Sequence, residues 1–234
     1  MMLKKPILVL LSCFFTISTI FANTNVLNIV YNSDGFAVAN VFNSSTSYDI
    51  MFIYGKKGRL IYTDMIESII SVKKVDFVNE LLMIGYTNVN KSYDNLLIRV
   101  DEKGKVLDAL VVGDYYYQEI PKLLFRINNI YIVVGLRGYR SYDSMYALFF
   151  DGYLRVTDCL VFDFGQEVGI TYSDFVGQPS PIGIKVLLKT KDWQDYDVEI
   201  MADGKYNLSS KNINVKNIKP SISKYYYQEK EIDL

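Results

Sequence analysis

The sequence predicts an all-β chain built from four tandem repeats of about four strands each. A short motif, Ser-Tyr-Asp or a close variant, occurs four times, and each copy precedes an apolar stretch, a turn and a second apolar stretch. Tyr accounts for 20 of 234 residues, and Val, Ile and Phe fill the apolar stretches. These residue types favour strands. No segment shows helical spacing of apolar residues over three turns.

The first 22 residues differ in character from the repeats. Lys4 and Lys5 precede an uncharged apolar run over residues 7–21, and Ala22 is followed by a polar stretch. This order predicts a secretory signal peptide over residues 1–22 and a single exported repeat domain over residues 23–234, destined for the periplasm, the cell surface or the medium. The apolar run is shorter than the about 20 residues of a spanning helix, so we expect no membrane span after cleavage.

Cys13 offers an alternative processing route. Leu10-Leu11-Ser12-Cys13 resembles the lipobox at which bacterial lipoproteins are cut and lipidated, although the apolar run continues beyond it. Cleavage at residue 22 would leave Cys159 as the single cysteine of the mature domain. One cysteine cannot form an intrachain disulfide, and we expect Cys159 to be buried and inert in a strand.

Charge and composition exclude several classes of function. Removing residues 1–22 leaves 23 basic against 26 acidic residues, a net charge of −3. This balance gives no reason to expect nucleic-acid binding, which needs a concentrated basic face. Histidine is absent, so Ser-His-Asp and Cys-His nucleophilic systems are excluded. We predict no cofactor and no metal ion.

The repeat motif sets the expected architecture. Its aspartates are 45, 49 and 54 residues apart, a period typical of stacked units that bury their apolar surface against one another. The predicted repeats cover residues 26–66, 69–112, 122–161 and 168–210, followed by a tail over residues 211–234. The turn in each repeat contains a glycine to supply the positive φ that hairpin turns demand; these are Gly58, Gly104, Gly152 and Gly204. Many strands are apolar at nearly every position, which indicates cover on both faces.

With these motifs the chain resembles the β-propeller repeat proteins of secreted and surface-exposed bacterial and archaeal proteins. The best copy runs from Ile84-Gly85-Tyr86-Thr87 through Ser92-Tyr93-Asp94 to Gly104-Lys105-Val106-Leu107. The resemblance implies a small β-propeller of about four four-stranded blades. It implies no single activity. The tail is expected either to complete a blade at the seam of the ring or to form a partial fifth repeat.

The motif residues themselves are expected to be structural. A repeated aspartate at the start of a strand accepts hydrogen bonds from its own turn, and the tyrosine packs between neighbouring units. These residues are Tyr48, Asp49, Tyr93, Asp94, Tyr142, Asp143, Tyr196 and Asp197. The two copies of Tyr-Tyr-Tyr-Gln-Glu, at residues 115–119 and 225–229, are expected to alternate between core and rim of strands.

The loops just before the motif are the predicted ligand-binding surface. They differ among the repeats, and equivalent loops of stacked units emerge on one common face. Arg137, Tyr139, Arg140 and Trp193 supply the residue types that dominate protein interfaces, and Trp193 can stack on a sugar. The leading hypothesis is therefore an exported non-enzymatic protein that binds a protein or a surface glycan, with completion of a larger ring by two chains as an option.

Two other functions are compatible with the sequence. The first is a polysaccharide-acting enzyme that uses paired carboxylates in a central funnel, drawn from Asp151, Asp158, Asp163 and Glu167. Such a pair would lie about 5 to 9 Å apart, whereas carboxylates dispersed among turns favour binding. The second is an envelope-assembly lipoprotein, if Cys13 is the processed residue.

Overall fold

A computed structural model gives the fold of the chain, and it is all-β, as predicted. The structure describes residues 24–31, 37–43, 48–54, 57–62, 67–75, 80–88, 92–139, 142–165, 170–180, 182–190, 195–210 and 212–233. These residues form 19 strands and no helix, and consequently no helix in them could cross a membrane. The predicted signal peptide, including Cys13, lies outside the described residues.

The strands form four antiparallel sheets that follow one another along the chain. Sheet 1 contains β1 (Thr24–Tyr31), β2 (Ala37–Asn43), β3 (Tyr48–Tyr54) and β4 (Lys57–Tyr62). Sheet 2 contains β5 (Glu67–Val75), β6 (Glu80–Thr87), β7 (Asp94–Asp101) and β8 (Val106–Gly113). Sheet 3 contains β9 (Gln118–Ile127), β10 (Ile130–Gly138), β11 (Ser144–Asp151) and β12 (Val156–Asp163). Sheet 4 contains β13 (Ile170–Pro179), β14 (Gly183–Thr190), β15 (Asp195–Met201) and β16 (Tyr206–Leu208).

Apolar side chains hold the sheets together in chain order. In β6, Leu81 and Met83 join the core between sheets 1 and 2, whereas Leu82 and Ile84 join the core between sheets 2 and 3. Successive side chains of a strand point to opposite faces, so sheet 2 is covered on both sides. Sheet 3 behaves in the same way: the core shared with sheet 2 takes Tyr131, Val133, Tyr146 and Leu148, and the core shared with sheet 4 takes Ile132, Val134, Met145 and Ala147. This double cover explains the apolar runs in the sequence.

Sheet 4 is buried on one face and polar on the other. Ile184, Val186 and Ile200 pack against sheet 3. The residues between them carry ion pairs and hydrogen bonds on the opposite face: Lys185 Nζ lies 2.9 Å from Asp197 Oδ2, Lys189 Nζ lies 3.8 Å from Asp195 Oδ1, and Asn207 Nδ2 lies 3.0 Å from Glu199 Oε2. The Lys185 and Asp197 side chains are 47% and 40% exposed. This alternation is typical of a sheet that ends a stack.

The turns between the third and fourth strands of sheets 2 and 3 are each stabilised by an aspartate at the same position of the turn. Asp101 Oδ1 accepts hydrogen bonds from the amides of Lys103 and Lys105, and Asp151 Oδ1 accepts them from Tyr153 and Arg155, at 2.8 to 3.1 Å. These turns place the strands in register because they fix where each hairpin reverses.

In the turn of sheet 3 the positive φ is carried by Leu154 (φ 63°), while Gly104 and Gly204 carry it in the corresponding turns of sheets 2 and 4. The sequence-based assignment of this role to Gly152 is therefore wrong. Leu154 is only 1% exposed and belongs to the core between sheets 2 and 3. Burial of its side chain offsets the about 1 to 2 kcal/mol that a left-handed leucine costs.

The tail adds one short strand to each of three sheets. β17 (Asn214–Asn217) pairs with β12, β18 (Ser221–Lys224) with β8 and β19 (Gln228–Asp233) with β4. The first residues of these strands are seven residues apart. The tail therefore crosses sheet 3, then sheet 2, then sheet 1, at regular intervals along the chain. It is thus neither a partial fifth repeat nor a strand confined to one seam.

Buried side chains fasten the tail. Tyr225 is 4% exposed and lies in the core between sheets 1 and 2, while Ile213 lies in the core between sheets 3 and 4. The adjacent Tyr226 is 85% exposed. The tail is therefore held in two ways: its strands pair with the edges of the sheets, and these two side chains pack between the sheets.

We predict that Tyr225→Ala lowers the unfolding free energy by about 3 kcal/mol, because it removes a buried aromatic ring. Tyr226→Ala is the matched control and should change stability by less than about 0.5 kcal/mol. Urea denaturation of both variants measures the difference. Equal effects of the two substitutions would contradict the docking of the tail.

Candidate functional site

Exposed tyrosines gather at the end of sheets 2 and 3 where β8 leads into β9. Residues 114–117 form this connection, which we call the tyrosine loop. Tyr115 and Tyr116 are 66% and 70% exposed, and their rings meet edge to face with centroids 5.4 Å apart. Tyr139, directly after β10, is 62% exposed at the same end. We call Tyr115, Tyr116 and Tyr139 the tyrosine surface.

Arg137 connects the tyrosine loop to the sheet beneath it. Its Nε donates to Glu119 Oε1 at 2.9 Å, and its Nη2 donates to Asp114 Oδ2 at 2.7 Å. The guanidinium lies over the ring of Tyr117, 3.7 Å from the centroid. Asp114 also accepts the amide of Tyr116 at 3.0 Å through its second oxygen. Arg137 therefore holds the loop by one ion pair, to Asp114, and a cation–π contact with Tyr117, while its second ion pair, to Glu119, anchors it to β9.

A buried polar layer lies below this arginine. Asp94 and Asn95, the first residues of β7, are each 1% exposed. Asn95 Nδ2 donates to the carbonyl of Val112 at 3.0 Å and approaches Glu119 Oε2 at 3.5 Å, and its Oδ1 accepts the hydroxyl of Tyr146. These bonds join sheet 2 to sheet 3, because Tyr146 belongs to β11.

Two glycines make room for the layer. A Cβ at Gly113 would collide with the carboxylate of Asp94, and a Cβ at Gly135 would collide with the carbonyl of Ile120 and the ring of Tyr146. The close approach of backbone to side chain therefore requires glycine at both positions.

Burial changes the protonation of this cluster. Desolvation raises the pKa of Glu119 from 4.5 to about 7, in spite of Arg137, and the neighbouring charges of Asp94 and Asp114 add to the rise. Burial likewise raises the pKa of Tyr146 well above its usual value. The pKa of the Cys159 thiol is also raised, mainly by burial, so this free cysteine is buried in a form with little nucleophilic character.

The predicted motif residues do not occupy equivalent positions. Asp94 opens β7 opposite Thr87, whereas Asp143 precedes β11 and Asp197 is the third residue of β15. Asp143 accepts the hydroxyl of Ser144, and Asp197 pairs with Lys185. Their tyrosines make ring or hydroxyl contacts: Tyr93 with Tyr86, Tyr142 with Gln118 and Tyr196 with Phe164. Tyr48 and Asp49 begin β3.

The structure describes two of the four predicted ligand-binding residues, Arg137 and Tyr139, and it places them differently. Tyr139 is exposed as expected, but Arg137 is 8% exposed and engaged in the ion pairs above. Arg140 and Trp193 lie outside the described residues. Sequence reasoning misses Tyr115 and Tyr116 because it predicts a strand there, with side chains that alternate between core and rim. The signal was present, since the glycine and aspartate before them mark the end of β8.

Three of the carboxylates considered for catalysis lie along one hairpin. Asp151 lies in a turn, and Asp163 ends β12, opposite Ser144 at the other end of β11. Seven residues of strand separate these positions, about 23 Å. Asp158 accepts the amide of Cys159 between them, and Glu167 lies outside the described residues. In the described part of the chain no three acidic or cysteine side chains are placed to hold a metal ion.

Comparisons with family models, curated proteins and solved structures found no match to this chain.

We predict that the stability of the protein falls as pH rises from about 4.5 to about 7. The folded-state pKa of Glu119 is raised above its unfolded value, so the folded state binds an additional proton in this range and loses that advantage as the pH increases. The loss is up to about 3 kcal/mol, at about 1.4 kcal/mol per pKa unit. Chemical denaturation at pH 4.5, 6 and 7.5 measures it.

Glu119→Gln should flatten this part of the stability profile. Glu102→Gln, an exposed carboxylate in the turn after β7, is the matched control and should keep the slope. A slope that is unchanged in Glu119→Gln would assign the pH dependence to another group.

Proposed function

We propose that this chain is an exported, non-enzymatic binding or scaffold protein that holds a protein or a surface glycan on the tyrosine surface. The observation that carries the proposal is the exposure of Tyr115, Tyr116 and Tyr139 at one end of the sheets. Export is inferred from the charge and apolar pattern of residues 1–22.

The chemistry of the tyrosine surface suits binding. A tyrosine ring presents a large flat apolar face with a hydroxyl at its tip, and it loses little conformational freedom when it is immobilised. Such rings stack on sugar faces and form anchors in protein interfaces. Arg137 holds the tyrosine loop in place before any ligand arrives, which lowers the entropic cost of binding.

Catalysis is less well supported than binding. Asp151 and Asp163 lie at opposite ends of one hairpin, farther apart than the pair that glycoside hydrolysis requires, and Asp151 is already paired with Arg155. Glu119 and Asp94 lie close to one another in the polar layer, but they are 2% and 1% exposed. A polysaccharide cannot reach carboxylates that are covered to this extent. An envelope-assembly role as a lipoprotein depends on processing at Cys13, and mass spectrometry of the exported N-terminus distinguishes it.

We further propose that the four sheets are blades of a propeller-like array. Four consecutive four-stranded meanders, packed face to face in chain order, support this architecture. The charged outer face of sheet 4 supports an array that ends at this sheet within one chain. Closing a ring through this face would bury Lys185, Lys189 and their partners at a high desolvation cost.

Binding is tested with the mature chain, residues 23–234, on an array of defined oligosaccharides and on immobilised envelope proteins. We expect Tyr115→Ala and Tyr116→Ala each to weaken binding by about tenfold or more, as the loss of an aromatic anchor does. Tyr153→Ala is the matched control, because Tyr153 is also 62% exposed but lies in a turn at the opposite end. Binding that is indifferent to both loop substitutions would refute the proposed site.

The open end of the array is tested by Asp197→Asn. An ion pair on a solvated face is worth less than about 1 kcal/mol, so the unfolding free energy should hardly change. Ile200→Ala, on the buried face of the same strand, should cost about 2 to 5 kcal/mol. If Asp197→Asn were as costly as Ile200→Ala, the outer face of sheet 4 would have to be covered.

A further inference from the structure

The polar layer beneath the tyrosine loop has more negative than positive charge. Arg137 is the cation paired with Glu119 and Asp114, and Asp94 adds a third carboxylate whose charge acts on Glu119. Glu119 is faced by groups from every element around it: Asp94 and Asn95 from β7, Asp114 from the tyrosine loop, Arg137 from β10, Tyr146 from β11 and Cys159 from β12. When all three carboxylates are ionised, this region carries a net charge of about −2, and the charges repel strongly because Asp94 and Glu119 are buried.

The three carboxylates differ in their freedom to move away. Asp94 is fixed at the start of β7, against the backbone of Gly113. Glu119 is tied to sheet 2 through its amide, which donates to the carbonyl of Tyr93 at 2.5 Å. The Asp114 side chain is 32% exposed and belongs to a loop. Repulsion within the cluster is therefore relieved at the lowest cost by outward movement of Asp114.

Asp114 and Glu119 also compete for the same guanidinium. Arg137 uses Nε for Glu119 and Nη2 for Asp114. A neutral Glu119 does not repel Asp114. The positive charge of Arg137 then attracts Asp114 alone. An ionised Glu119 shares that charge and repels Asp114.

We propose that ionisation of Glu119 loosens the tyrosine loop, so that the tyrosine surface is better ordered in mildly acidic than in mildly alkaline solution. The raised pKa of Glu119, about 7, places this transition near neutrality. The use of the transition to regulate binding rests on the proposed function. The movement of the loop itself does not, since it needs no ligand.

Two amides report on the loop directly. The Tyr116 amide donates to Asp114 Oδ1, and the Tyr117 amide donates to the Asp114 carbonyl at 3.1 Å. Their hydrogen-exchange protection factors, measured by NMR between pH 6 and 8.5 and corrected for the intrinsic rate, should fall on the order of fivefold with increasing pH, the effect of one partly screened repulsion. Glu119→Gln should hold the protection constant, and Glu102→Gln should retain the transition.

Asp114→Asn provides a second variant that leaves Glu119 in place. An uncharged side chain at position 114 has no charge to repel, so the pH response of both amides should vanish there too. Protection that is independent of pH in the unmodified protein, that rises with pH, or that still responds in either Glu119→Gln or Asp114→Asn would overturn the proposal.

Binding at pH 6 and 8.5 separates this inference from the proposed function. A responsive loop in a protein that binds none of the oligosaccharides or envelope proteins would refute the function and support the switch. Binding through the tyrosine surface with a loop that is indifferent to pH would refute the switch and support the function.

Discussion

The rest of the structure depends on the burial of both faces of sheets 2 and 3. Neighbouring residues such as Leu81 and Leu82 enter two different cores. Each strand of these sheets therefore packs against both the preceding sheet and the following one. A fully buried aliphatic side chain contributes about 1.5 to 3 kcal/mol. Since no disulfide links the described residues, whose one cysteine, Cys159, is free, this packing together with the strand ladders holds the array in order.

Polar groups enter the interior at the end of these sheets. Asn95, Glu119 and Tyr146 bridge sheets 2 and 3 where the apolar core ends. Arg137 pairs with Glu119 of this layer and with Asp114 of the tyrosine loop. The position of the loop therefore depends on how sheets 2 and 3 pack. The conformation of an exposed surface is thereby linked to the protonation of a buried carboxylate, which is the basis of both the proposed site and its proposed regulation.

Periodic features of the sequence were informative, whereas short motifs were less so. The fully apolar runs of β6 and β10 correctly indicated strands covered on both faces. The Ser-Tyr-Asp copies suggested equivalent positions, but Asp94 is buried at the start of a strand while Asp197 lies on a solvated face. Side chains alternate between the two faces of a strand, so a motif that is shifted by one or three residues presents its aspartate to the opposite face. Arg137 is predicted to bind a ligand from its place in a variable loop and its residue type, whereas its carboxylate partners lie 18 and 23 residues earlier in the chain.

The sequence by itself determined the all-β class and the four units of four strands, since local apolar patterning and turn chemistry act over a few residues. Only the tertiary structure decided where Leu154 replaces a glycine, how the tail crosses three sheets, and which charges share Arg137. Each of these depends on contacts between distant segments: the core that retains Leu154, the free edges of β4, β8 and β12 that accept the tail, and the low dielectric that sets the protonation of Glu119. Their energies arise only when the sheets have assembled, so no local pattern encodes them.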